Sequence, residues 1–110
     1  MPPLPSDWME HTITSMISDK DQAIISEIVG RYRASRVLLF GSSLEPGGNS
    51  HDIDLAVEGV PPEQFFRFYG ELIFALPKPV DLVDLGPDTK FHRIIREEGI
   101  PIYVRTQGQD

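Results

Sequence analysis

Val37-Leu38-Leu39-Phe40-Gly41-Ser42 and, beyond a glycine-rich gap, His51-Asp52-Ile53-Asp54-Leu55-Ala56-Val57 are the two stretches on which the fold of this chain turns. Four consecutive apolar residues running into Gly41 predict a buried strand that ends in a tight turn. Glu45-Pro46-Gly47-Gly48-Asn49 is dense in turn formers and predicts a loop. Asp52 to Val57 resumes an extended pattern and stops at Gly59, with Pro61 and Pro62 beyond, which predicts a second strand. Side chains alternate along a strand, so Asp52 and Asp54 are expected on one face, about 7 Å apart at their Cα atoms. Two carboxylates so placed repel, and apolar Ile53, Leu55 and Val57 around them add a desolvation cost. A cation is the natural compensation.

Working outward, Ser18 with Asp21 three residues on is a capping signal, and Ile24, Ile25, Ile28, Val29 and Tyr32 recur at helical spacing to about Arg33. A short helix is expected before it, from Trp8 to Ile17. Glu63 to Leu76 predicts a helix with Phe65, Phe68, Tyr69, Leu72 and Leu76 on one face, closed by Pro77-Lys78-Pro79. Phe66 and Phe74 exceed what that face needs and are candidates for a partner surface. Val80 to Leu85 predicts a third strand. Asp88 is the expected cap of a last helix carrying Phe91, Ile94 and Ile95, with Gly99 just past its end. Ile100 to Val104 predicts a final edge strand, because Pro101 lacks a ladder donor. The order helix, strand, strand, helix, strand, helix, strand implies a mixed α/β (α+β) sheet of about four strands flanked by helices.

Composition narrows the chemistry. The chain has 110 residues, 40% of them hydrophobic and 25% charged, which is enough for one packed domain and too little for two. A lead-in over residues 1–8, one domain over 9–105 and a tail over 106–110 are expected, both ends flexible. No apolar run suits a membrane span and no basic-then-apolar leader opens the chain, so a cytoplasmic protein is expected. Cysteine is absent, which leaves carboxylate and imidazole as metal ligands and favours a hard ion. Mg²⁺ fits best, since it takes one or two carboxylates together with phosphate oxygens and water; Mn²⁺ is the alternative. A net charge of −7 argues against direct tracking of a nucleic-acid backbone, but a nucleotide escorted by Mg²⁺ avoids that objection.

Two further features complete the candidate site. Gly41 allows the backbone to approach a phosphate closely, and the Ser42 hydroxyl and following amides can donate to it. Val80-Asp81-Leu82-Val83-Asp84-Leu85 holds a second acidic pair whose offset of three puts its members on opposite strand faces, so at most one of Asp81 and Asp84 can join the first pair. His51 reads as a loop residue, and Lys90, Arg93 and Arg96 as solvated helix charges.

Gly41-Ser42, then Asp52-Ile53-Asp54, then Val80-Asp81-Leu82-Val83, together with the ending Gly99-Ile100-Pro101-Ile102-Tyr103, resembles the minimal nucleotidyltransferase (MNT) family of the polymerase-β superfamily, from about Ile24 to Val104. The resemblance implies that superfamily's fold. It assigns the phosphates to Gly41 and Ser42, the metal to Asp52, Asp54 and Asp81, and catalysis to the same three aspartates. It also implies transfer of a nucleoside monophosphate, AMP from ATP, to a hydroxyl of a helical HEPN-type partner within a toxin–antitoxin pair. The alternative is a non-catalytic module that neutralises such a partner by binding it. Assembly with further copies of the chain is also possible. Many members follow the Gly-Ser pair with a basic residue, whereas Ser43-Leu44-Glu45 stands here.

Overall fold

The computed structural model describes residues 16–44 and 51–105. The lead-in, nearly all of the first expected helix, the Glu45–Asn49 loop and the tail lie outside them. Strands β1 (Arg36–Leu39), β2 (Ile53–Glu58), β3 (Val80–Asp84) and β4 (Ile100–Val104) form one sheet in the order β3-β2-β1-β4. Helices α1 (Asp19–Arg31), α2 (Pro62–Ala75) and α3 (Lys90–Glu98) flank it. β1 is antiparallel to both β2 and β4, while β2 and β3 are parallel. β3 and β4 therefore also point the same way, and α2 and α3 are the crossovers that such pairs require.

The sheet has two unequal faces. On one, Val37, Leu39, Ile53, Leu55, Val57, Val80 and Ile102 pack against Ile25, Ile28 and Val29 of α1 and Phe68 and Leu72 of α2. On the other, Leu38 and Ala56 meet Leu85 and Ile95 of α3, with Phe40 and Val83 at the margin. The period-2 alternation of β1 and β2 explains why the two clusters stay separate. Tyr32 and Glu71 tie α1 to α2: the Tyr32 hydroxyl donates to Glu71 at 2.5 Å, and Arg31 approaches the same carboxylate at 2.7 Å. Among the described residues no helix is long and apolar enough to cross a membrane.

Three expectations need correction. α1 ends at Arg31 rather than Arg33, because Arg33 turns into the left-handed region at φ 60° and breaks the helical ladder. The cap of α3 is Thr89, whose hydroxyl accepts from the His92 N–H at 3.3 Å, while Asp88 accepts from Arg93 Nε at 3.1 Å. Gly99 does follow α3, but in extended backbone at φ −70°, ψ 154°. What its position forbids is bulk: a Cβ there would meet the Ile95 carbonyl oxygen at 2.7 Å and Leu38 Cβ at 3.1 Å. Pro101 lies in edge strand β4, where the register with β1 shifts between Val37 and Leu38, so its missing donor falls at an irregularity.

Candidate active site at the end of the central strands

β1 ends at Leu39 and runs through Phe40 into a 3₁₀ turn over Gly41–Leu44. Gly41 sits at φ +62°, and a Cβ on it would lie 2.8 Å from Asp54 Oδ2. Any other residue here is therefore strained and also pushes against the Asp54 carboxylate. The Ser42 hydroxyl donates to Asp54 Oδ2 at 3.1 Å. Ser43 is 3% exposed, the buried polar side chain among the described residues. Its hydroxyl accepts the Asp54 N–H at 2.8 Å and donates to the Asp52 carbonyl at 3.1 Å. The turn is thus stapled to both ends of the Asp-Ile-Asp segment. Sequence reasoning missed this role, since nothing in Ser43-Leu44 reveals which hydroxyl the hairpin will bury.

β2 begins at Ile53, so Asp52 lies in the bend before the strand and Asp54 within it. Ile53 and Leu55 enter the larger core, which turns Asp54 to the α3 face. The parallel register sets Asp81 directly beside Asp54, on neighbouring strands about 5 Å apart. Asp84 is registered with Val57, at the other end of β3, and turns its carboxylate to the Gly86 N–H at 3.2 Å. Parity thus separates the two candidates, and Asp81 is the one on the Asp54 face.

Burial pushes the Asp54 carboxyl above the usual carboxylate range, and the charges of Asp81 and Asp52 push it further. The Ser42 hydroxyl and N–H hold the ionised form and pull the other way. Among the described residues no group of three or more carboxylate or imidazole side chains is gathered so as to hold a metal ion. The donor set is an incomplete, oxygen-only one, which suits an ion that brings phosphate and water ligands of its own. His51 is exposed, Arg93 pairs with Asp88, and Arg96 donates to the Leu85 carbonyl and lies 3.8 Å from Glu58.

No protein-family model and no curated protein matches the chain. Solved structures do. A chain of the toxin-antitoxin MntA-HepT crystal structure aligns at a TM-score of 0.62 with 22% identity, covering 82% of this chain and 75% of its own. A toxin-antitoxin structure with AMP-PNP aligns at 0.63 with 25% identity, covering 78% and 75%. The chain has the minimal nucleotidyltransferase fold. A structure of tri-AMPylated Shewanella oneidensis HEPN toxin in complex with MNT antitoxin, at a TM-score of 0.61 and 23% identity over 80% and 73%, has this MNT fold as well. In MNT terms the architecture is the four-stranded mixed sheet and flanking helices described above.

Proposed function

We propose that this chain is a Mg²⁺-dependent nucleotidyltransferase that transfers AMP from ATP to a hydroxyl of a helical HEPN-type partner, as the antitoxin of the pair. The observation that carries the reading is the registered Asp54–Asp81 pair beside the Gly41-Ser42 turn. It is supported by the fold shared with chains from MntA–HepT, from a complex with AMP-PNP and from a complex with an AMPylated toxin.

In this reading Asp52, Asp54 and Asp81 would hold Mg²⁺, which when bound supplies neutralising charge to the phosphates and the departing pyrophosphate. The donors that Ser42 turns toward Asp54 in the free protein are those a phosphate oxygen would take, and Gly41 leaves the space for it. The acceptor hydroxyl forms a bond to the α-phosphorus as the α–β bridging bond breaks, and its proton passes to the Asp81 carboxylate. In this reading the helical partner supplies the acceptor site.

The test mixes the protein, its helical partner, Mg²⁺ and ATP, and reads the partner's intact mass. Added AMP is expected with wild type, and at least a hundredfold slower transfer with Asp54→Asn or Asp81→Asn. Ser43-Leu44-Glu45, standing where a basic residue would help to hold a triphosphate, favours a second reading, in which the chain silences its partner by occlusion. A partner that stays unmodified, yet is silenced equally by Asp54→Asn protein, would establish that reading and remove the first.

A further inference from the structure

The row of side chains that ends the sheet on the α3 face runs Asp81, Asp54, Phe40. Asp54 is registered with Asp81, and the Phe40 N–H donates to the Asp54 carbonyl at 3.0 Å. One row further in, Ala56 and Leu38 are covered by Ile95 of α3, which is 3% exposed. Phe91 occupies the same face of α3 one turn earlier and is 53% exposed. The difference follows from what lies beneath each residue. Ile95 caps apolar side chains, whereas Phe91 overhangs the margin where the sheet changes from apolar to acidic and leans on Phe40 there.

That contact does not use the ring up. Phe40 and Phe91 meet edge to face, with centroids 6.4 Å apart at 80°, and His92 meets Phe91 in the same manner at 5.6 Å and 75°. Neither neighbour lies flat on Phe91. A half-exposed aromatic ring thus stands beside the residue that leads directly into the Gly41-Ser42 turn, on the same face as the carboxylates. A phenylalanine gains nothing from water, and a shelf of aromatic face next to a phosphate-binding turn matches a flat, π-rich group attached to a phosphate chain.

We propose that Phe91, braced by Phe40, is the stacking platform for the base of the nucleoside triphosphate, and that it sets a preference for nucleotides over bare polyphosphate and for purines over pyrimidines. This rests on the triphosphate reading of the Gly41-Ser42 and aspartate site. Stacking recognises a π-face rather than a hydrogen-bonding edge, so the preference among bases follows ring area and not the pattern of exocyclic groups.

Calorimetric titration of the full chain with ATP, CTP and inorganic tripolyphosphate, each with Mg²⁺, tests it. Wild type is expected to bind ATP more tightly than CTP, and CTP more tightly than tripolyphosphate. Phe91→Ala should weaken ATP about tenfold and leave tripolyphosphate unchanged, with Phe91→Tyr restoring ATP binding. Melting curves confirm that the variants are folded, as expected at a half-exposed site. Equal affinity of wild type for ATP and tripolyphosphate, or an equal loss of both in Phe91→Ala, overturns the platform while leaving the phosphate site standing. The same holds if Phe91→Ala weakens only binding of the helical partner. Failure of wild type to bind any triphosphate overturns the underlying reading, and the platform with it.

Discussion

Ser43 is the residue on which the geometry of the candidate site depends most. Its hydroxyl is at once acceptor for the Asp54 N–H and donor to the Asp52 carbonyl, in a place water does not reach. Ser43→Ala strands both backbone groups, and the expected loss of stability is about 1–3 kcal/mol, measured as a lower urea midpoint with an unchanged slope. An unchanged midpoint would mean that solvent replaces the staple. The neighbouring positions can be nominated without a structure, Gly41-Ser42 and Asp52-Ile53-Asp54 by residue type, but the strand expected from Asp52 begins at Ile53, which leaves Asp52 in the bend before it. Strand parity alone left Asp81 and Asp84 equivalent, and only the family resemblance named Asp81, because facing depends on the register of β3 against β2, a pairing between residues 27 positions apart in the case of Asp54 and Asp81. Ser43 was invisible for a similar reason, since its partners are reached only once the hairpin closes.

Among the elements, α1 and α2 are joined by a clasp that titrates at both ends of the pH scale. The Tyr32 hydroxyl, helped by Arg31, holds the Glu71 carboxyl below its usual range; burial, then the hydrogen bond to Glu71, pushes the Tyr32 phenol above its own. A depressed carboxyl stabilises the fold fully above its unfolded value of about 4.3 and loses that contribution as pH falls through the folded value. A raised phenol stabilises fully below about 10 and loses its contribution as pH rises through the folded value. Tyr32→Phe is therefore expected to lower the melting temperature by a few degrees at neutral pH and to flatten both the acid and the alkaline limbs. Glu71→Gln should flatten the acid limb. Identical limbs in wild type and Tyr32→Phe would show that the clasp is not coupled to folding. The elements themselves were legible from apolar periodicity. Their ends were less so: Thr89 displaced Asp88 as a cap because Asp88 had Arg93 as a competing partner, a contest between side chains that spacing does not record.

At the scale of the whole molecule, the order of elements predicted a mixed sheet with helices, and the sheet is indeed mixed, with β2 and β3 parallel among antiparallel neighbours. The strand order β3-β2-β1-β4 was not derivable from propensity, and it is this order that brings the two acidic strands side by side. The unequal division of the core has a dynamic consequence. α3 is pinned by a small cluster around Ile95, while α1 and α2 share the large one. Opening free energy follows buried apolar contact, so the molecule should loosen in two steps rather than one. In native-state hydrogen exchange, the α3 amides are expected to exchange by a sub-global opening well below the global unfolding free energy, and those of Ile28, Val29, Phe68 and Leu72 only by complete unfolding. Equal protection of α3 and α1 would rule out that hierarchy. If the hierarchy holds, the helix beside the acidic row is the part of the molecule that lifts first, so the margin carrying Phe91 breathes while the two acidic strands keep their spacing.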